Sequence, residues 1–559
     1  MMNRPTVCLT LLPIHKTITV KAGSSLLEAL RRAGVEIAAP CNGHGLCGKC
    51  KVEITAESPP LETPHPHLRP DEISAGIRLA CDVEVYDGMK IILPEDHALD
   101  TRILEGERIQ KSRVAPAAVV EKINERFMLR YENLPPVQLS SWREALSPKG
   151  LAVDIGTTTI VASLFDLLSG RELATSSSIN PQTRFGHDVM TRIRYASTPE
   201  GLKAIADVTA EGLNALIGKL CQDAGAHFEE IVDAVIGGNT TMLQLAAAID
   251  PKSLGRAPFA VSMESGCSYP VQTFRLKMNQ RGRVYIPPVA HAFVGSDISA
   301  GLLSTVLFSG RTPLLFMDLG TNGEIVLIGN GYILLTSTAV GPAFEGMGIT
   351  HGMQAVAGAI ETVWTNEKYF TLRTIDNAPA RGICGSGIVD IVAGLIEGQN
   401  VEPNGRLIDP KMKNSSKGPF ADRYEKIDSI AAIRLTDRVY FTQKDLRSFQ
   451  LAKSAVKTGV EMLLAAAGLN SMDLQEIVIA GAFGYHLREE SLRKINILPR
   501  GFKGKIDFAG NTSRTGCVLL LVDAANRQYL EEQMGMASYL SLPGEPDFQT
   551  QFVANLPFL

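Results

Sequence analysis

Apolar and polar positions alternate twice near the start of the chain. "TVCLTLLP" and "KTITVKAG" read as two short strands, the second setting Ile18 and Val20 against Thr17 and Thr19. The period then changes. In "SSLLEALRRAGV" Leu26, Leu27 and Leu30 share one face of a predicted helix, Ser25 and Glu28 have capping-box spacing, and Gly34 supplies a stop. "KCKVEI" and "LACDVEVYDGMKIILP" return to strand patterning, so the first stretch, about ninety residues, predicts a small α+β domain. After Glu95 the pattern loosens. "EDHALDTRILEGERIQKSR" reads as a linker or a solvated helix, and the stretch from Val114 to Gly150 is too short for a core of its own.

From Gly150 the pattern is that of an α/β protein, and it repeats. "LAVDIGTTTIVASLFDL" is an apolar strand, an Asp, a Gly-Thr turn and a second β-rich run; "LLFMDLGTNGEIVLIG" is the same again. Asp154, Gly156 and Thr157 align with Asp318, Gly320 and Thr321, which predicts two similar subdomains facing each other. "EIVIAGAFGYHL" is a further apolar strand, running into Gly481, Ala482 and Gly484. "GICGSGIVDIV" opens another predicted helix, and "VGPAFEGMGITHGM" is a loop rich in glycine and methionine.

Composition narrows the class. A chain of 559 residues exceeds one ordinary domain, and with 45% hydrophobic residues, 20% charged residues and a net charge of −4 it reads as a soluble multidomain protein. The absence of a basic block argues against nucleic acid as a partner. No window has the length of a membrane helix, and Pro13 breaks an N-terminal run that lacks the features of a secretory signal. Nine cysteines without framework spacing fit a reducing cytoplasm.

Four of those cysteines change the picture. Cys41, Cys47, Cys50 and Cys81 stand as C-x5-C-x2-C with a distant fourth, three of them in the glycine-rich loop "PCNGHGLCGKC". Structural zinc usually takes its ligands from two short knuckles. A [2Fe-2S] cluster instead needs thiolates spread around it, and Gly43, Gly45 and Gly48 would let the loop wrap close and aim backbone N–H groups at sulfur. Zinc remains the alternative. Cys8, Cys221, Cys267, Cys384 and Cys517 are isolated and read as small buried hydrophobes, and His65 and His67 as part of a solvated, proline-broken loop.

The repeated turns carry their own chemistry. Glycine admits a phosphate to the backbone, threonine hydroxyls and turn N–H groups donate to its oxygens, and the aspartate holds hydrated Mg²⁺ or orients water. Asp154 and Asp318 are therefore candidate catalytic carboxylates, with Gly156, Thr157, Thr158, Gly320, Thr321 and Asn322 around the phosphates. Gly481, Ala482 and Gly484 would leave room for adenine and ribose against backbone. Asp188 in "NPQTRFGHDVMTRI" and Thr240 in "AVIGGNTTMLQL" stand at predicted helix starts, where an N-cap and an anion site look alike; Asp188 joins the catalytic candidates. A G-x-x-x-x-G-K-[ST] loop is absent.

Two resemblances follow. Residues 4–95, with their cysteine spacing, resemble a β-grasp [2Fe-2S] ferredoxin of the adrenodoxin-like branch. The order of Asp154, Asp318 and Gly481 resembles the actin, hexokinase and heat-shock-chaperone ATPases, which implies a duplicated ribonuclease-H-like domain over 149–559 after a linker and small connecting domain at 96–148. The combination, with "IGGNTTM", "FVGSDI" and "GPAFEGMGITHGM", resembles the reductive activators of corrinoid proteins. That resemblance implies ATP-dependent reduction of Co(II) to Co(I), with Cys41, Cys47, Cys50 and Cys81 holding the cluster and ATP and Mg²⁺ as the other cofactors. It also implies a corrinoid protein of a methyltransferase system as partner, an upstream ferredoxin or flavodoxin-like donor, a homodimer and a cytoplasmic location. An activator of another low-potential reductase, and a small-molecule kinase with a redox-sensing domain, are the alternatives.

Overall fold

The computed structural model describes residues 6–12, 16–33, 35, 37, 50–55, 68, 70–93, 113–131, 134–139, 142, 146–186, 188–305, 307, 311–320, 322–366, 369–411, 418–481 and 487–558. Cys41, Gly43, Gly45, Cys47, Gly48, His65, His67, Thr321, Ala482 and Gly484 lie outside these residues, as do residues 94–112. The chain forms two compact units: Met1–Leu99 with Pro181–Tyr195, and Asp100–Asn180 with Ala196–Leu559.

In the first unit, the strands Thr6–Leu12 and Lys16–Lys21 form the antiparallel hairpin that the alternation predicts. Val7, Leu9 and Leu11 point into the core while Thr6 and Cys8 point out. Lys90–Ile92 adds parallel to the first strand, followed by Lys51–Ile54 and Ile77–Leu79, giving a five-stranded sheet. The helix Leu26–Arg32 buries Leu26, Leu27, Ala29 and Leu30 in the same core. This is the β-grasp arrangement. The Ser25 hydroxyl donates to the Ala80 carbonyl at 3.4 Å. "LACDVEVYDGMKIILP" is strand at its two ends, Leu79 and Lys90–Ile92, because the turns around Asp82 and Gly88 interrupt the run.

In the second unit, the strands Ala118–Ile123, Arg126–Tyr131 and Leu134–Gln138 form a three-stranded meander. Its Ala118 and Leu129, with Leu139 and Trp142 after it, share one apolar cluster with Phe165, Leu167 and Val232. The connecting segment is thus an extension of the ATPase core, as its length requires.

Two six-stranded sheets follow. In the first, Lys149–Ile155, Thr159–Asp166 and Glu172–Ile179 run antiparallel; Ile231–Gly238 then joins parallel to Lys149–Ile155, and Arg283–Ile286 parallel to that. In the second, Leu314–Leu319, Gly323–Gly329 and Tyr332–Thr338 repeat the antiparallel trio, with Glu476–Ala480 and Lys505–Gly510 as the parallel additions. The shared core is a duplicated ribonuclease-H-like sheet. The sixth strands, Cys267–Pro270 and Ala537–Tyr539, sit at non-equivalent edges. Central strands such as Ile231–Gly238 are buried along their whole length, which is why they read as continuous apolar runs.

After the fifth core strand each half sends out a helix, Ser296–Thr305 or Thr512–Val522, and the two helices pack together. The approach is close: a Cβ on Gly516 would lie 1.9 Å from the Ala300 carbonyl oxygen. The second-half helix also packs on the first-half strands Lys149–Ile155 and Ile231–Gly238.

Candidate active site

The first turn predicted to meet phosphate is a tight hairpin. Gly156 N donates to Thr159 O at 2.9 Å, and a Cβ at Gly156 would meet that oxygen at 2.8 Å, so only glycine fits. Asn180 clamps the turn from one side, donating from Nδ2 to Gly156 O at 2.7 Å and from its backbone N to Thr158 O at 2.8 Å. Asn239 donates from Nδ2 to Thr157 Oγ1 at 3.1 Å. Asn239, not Thr240, caps the helix Thr240–Ala246; the Thr240 hydroxyl donates to His291 O at 2.8 Å.

Asp154 and Asp318 are the penultimate residues of the first strands of their halves, the positions the repeat predicts. Asp154 is held at both oxygens: Asn511 Nδ2 donates to Oδ2 at 3.0 Å and Ser513 Oγ to Oδ1 at 2.7 Å. In the second turn Gly320 N donates to Asn322 O at 2.9 Å, and Asp318 pairs with Glu324 across the hairpin. Gly481 has a φ of +95°, and a Cβ there would lie 2.8 Å from Asp318 Oδ1. The predicted adenosine-side glycine is thus brought against the second phosphate aspartate.

Two more carboxylates share the electrostatics. Asp297, at the start of the helix Ser296–Thr305, is pushed up to about 8 by burial and then by the charges of Asp318 and Asp154. Burial, followed by Asp154 and Glu345, pushes Asp318 up to about 7. Glu324 is driven well above the usual carboxylate range by burial and then by Asp297 and Asp318. Asp154 is raised by burial, against the opposing hydrogen bonds from Ser513 and Asn511. All four keep some accessible surface. Among the described residues, no three His, Cys, Asp or Glu side chains form a direct metal cage.

The crowding has a pH consequence. A carboxyl with a raised folded pKa gives stability that is present below its unfolded pKa, about 4, and lost as pH rises through about 7 for Asp318 and about 8 for Asp297. Without Mg²⁺ or nucleotide, the melting temperature of the ATPase unit is therefore expected to fall from pH 5.5 to pH 8.5. Asp297→Asn removes one charge and should flatten that fall. Parallel pH profiles for parent and variant in calorimetry with chelator would contradict this reading.

Asp188 belongs to the first unit. Its carboxylate accepts from Thr191 N at 2.8 Å and Thr191 Oγ1 at 2.6 Å at the start of the helix Val189–Tyr195, the geometry of a helix cap. Cys384 is buried at the start of the helix Gly385–Glu397, with its thiol on Ile360 O at 3.3 Å, a packing role.

In the first unit Cys50 is buried and its Sγ lies 3.4 Å from Cys81 Sγ. Metal–sulfur bonds of about 2.3 Å in a tetrahedral site put two sulfurs about 3.8 Å apart, so this pair fits two ligands of one metal centre. Burial, the neighbouring Cys50 and Asp82 all raise the Cys81 thiol pKa, so metal binding there must displace protons.

A ferredoxin-fold unit with paired thiols, joined to a duplicated ribonuclease-H-like sheet with an aspartate at each of two equivalent turns, has the architecture of an iron–sulfur ATPase of the actin and hexokinase class. Family profiles agree: a 2Fe-2S iron-sulfur cluster binding domain matches residues 9–86, the RACo middle region 149–309, and the C-terminal domain of RACo, the ASKHA domain, 312–559. The profile boundary near 310 falls between the two sheets. The corrinoid activation enzyme RamQ of Eubacterium limosum is 30% identical, covering 98% of this chain and 98% of its own. The [Co(II) methylated amine-specific corrinoid protein] reductase of Methanosarcina barkeri is 26% identical over 65% of this chain and 68% of its own. The solved structure of a reductive activator for corrinoid, iron-sulfur protein superposes with a TM-score of 0.70 at 28% identity, covering 99% of this chain and 98% of that one. The chain belongs to this family of corrinoid activation enzymes. Its cofactors are a [2Fe-2S] cluster and ATP with Mg²⁺.

Proposed function

We propose that this protein uses ATP to drive the one-electron reduction of an inactive Co(II) corrinoid protein to its Co(I) state. The observation that carries the reading is the joining, in one chain, of the Cys50 and Cys81 thiol pair to an ATPase built on Asp154 and Asp318. A bound [2Fe-2S] cluster supplies one-electron transfer, near −400 mV for a plant-type centre. Cys41, Cys47, Cys50 and Cys81 hold it. If Co(I) formation lies about 100 mV lower, each electron costs about 2.3 kcal/mol. ATP offsets that cost by changing the populations of two conformations of the complex.

The ATPase side chains divide the work. Asp154, fixed by Asn511 and Ser513, holds hydrated Mg²⁺ on the first turn. Asp318 and Asp297, with proton affinities near neutral pH, are matched to take the proton of the attacking water. Thr157, Thr158 and Asn322 line the phosphates with Thr321, and Gly481, Ala482 and Gly484 the adenosine. The electron enters from a low-potential ferredoxin or flavodoxin-like donor. The working form is a homodimer in the cytoplasm, and no helix among the described residues is long and apolar enough to cross a membrane.

An activator must bind the inactive state more tightly. ATP hydrolysis is therefore expected to be slow alone, to rise with a Co(II) corrinoid protein, and to fall once that protein reaches Co(I) or methyl-Co(III). A tenfold preference needs only about 1.4 kcal/mol of differential binding. The assay is phosphate release with the partner poised in each cobalt state, beside a screen of sugars, carboxylates and alcohols. Stimulation by one of those small molecules, with a phosphorylated product and no response to cobalt state, would make the protein a kinase instead.

A further inference from the structure

Two strand-to-helix corners of the ATPase unit carry the same tripeptide, Gly-Asn-Thr, at 238–240 and 510–512. In both, the asparagine caps the following helix: Asn239 Oδ1 accepts from Met242 N, and Asn511 Oδ1 from Arg514 N, each at 3.0 Å. Capping settles which end of each amide is oxygen, so the NH₂ must face the other way. In both it faces the first phosphate turn, Asn239 on Thr157 and Asn511 on Asp154.

The Asn511 corner does more. Ser513, in the first turn of the same helix, takes the other oxygen of Asp154, so residues from the second half of the chain fix the orientation of a first-half carboxylate. One residue earlier, the Gly510 carbonyl accepts from Gly481 N at 3.0 Å, and Gly481 is the residue where any side chain would meet Asp318 Oδ1. Asp154, Asn511, Gly510 and Gly481 are thus linked by hydrogen bonds and covalent bonds, and Gly481 follows Ala480, the strand partner of Asp318, so the run joins the two turns. The helix has a separate anchor, since Arg514 donates to Ser163 Oγ at 2.9 Å and pairs with Glu172.

We propose that Asn511 and Ser513 are positioning residues for ATP hydrolysis: they fix Asp154 relative to Asp318 and tie the spacing of the two turns to the helix Thr512–Val522. Groups that orient a metal-holding carboxylate act through it, and losing one typically costs about 10- to 100-fold in activity or metal affinity. The inference rests on the ATPase reading above.

The test uses the full cluster-loaded chain with three substitutions. Asn511→Asp keeps an acceptor for Arg514 N, so the cap survives while the donor to Asp154 is lost. Ser513→Ala removes the second donor, and Ser513→Thr keeps the hydroxyl. The readouts are kcat and the Mg²⁺ concentration for half-maximal hydrolysis, with the melting temperature as a control. Asn511→Asp and Ser513→Ala should each lower kcat about tenfold or more and raise the Mg²⁺ requirement about tenfold, while Ser513→Thr stays within about threefold of the parent. A purely structural role would lower the melting temperature and leave the Mg²⁺ requirement alone, which would overturn the proposal. So would parental kinetics in Asn511→Asp and Ser513→Ala, or a Ser513→Thr as impaired as Ser513→Ala. If Asn511→Asp does not fold, the Ser513 pair decides. A parent without ATPase activity overturns the functional reading and this inference together; an active parent beside unaffected variants overturns the inference alone.

Discussion

Cys50→Ser should lose the iron–sulfur chromophore and all Co(I) formation, while ATP hydrolysis stays within about twofold of the parent. Cys50 is buried in the ferredoxin core with its sulfur against Cys81, so it has no neighbouring thiol among the described residues to substitute for it except that partner. An oxygen ligand in place of thiolate weakens a soft-metal site. The Asp154 and Asp318 turns lie in the other compact unit, and no ATPase side chain changes. Iron content, expected at about two per chain in the anaerobically purified parent, would be measured beside phosphate release. A Cys50→Ser protein with full iron, or one that had lost hydrolysis along with its iron, would contradict the division of labour.

Asp318→Ala should do the reverse. Hydrolysis is expected to fall about 100-fold or more, in the range seen when a preorganised charge-stabilising group is removed from an active site. Asp154→Ala should match it. Cluster reduction by dithionite should be unchanged in both. Asp318 takes its high proton affinity from burial, Asp154 and Glu345, so its loss removes a group tuned to neutral pH and not a mere surface charge. Phosphate release and the reduced-cluster spectrum, read on the same samples, decide the point. Normal hydrolysis in either variant would move the phosphate site elsewhere.

Much of this architecture is legible in sequence because strong local patterns carry it. The alternation in Thr6–Leu12 and Lys16–Lys21, and the repeated strand, Asp and Gly-Thr turn, each encode a hairpin whose register depends on near neighbours. Asp154 and Asp318 were visible for the same reason. Asp297, Glu324, Asn511 and Ser513 were not singled out, because each gains its role from residues far away in the chain. Asn511 meets Asp154 only after the second-half helix packs onto the first-half sheet. A signal did exist: Gly-Asn-Thr recurs at both corners, and its asparagine both caps a helix and faces the phosphate turn. Asp188 marks a limit of local pattern. A carboxylate before a helix has the same local pattern whether it caps or catalyses, and here its described bonds go to Thr191. The connecting segment was ambiguous because its apolar residues complete a neighbouring core and cannot be read as a domain alone.

In the proposed function, ATP and the cluster act together on cobalt. The most direct measurement follows the visible spectrum of a Co(II) corrinoid protein mixed anaerobically with this protein, Mg²⁺ and a low-potential electron donor, with and without ATP. Conversion of the Co(II) spectrum to that of Co(I) is expected only when ATP and the reduced cluster are both present, and none with a non-hydrolysable ATP analogue. Co(I) formation at the same rate without ATP, or by the Cys50→Ser variant, would contradict it.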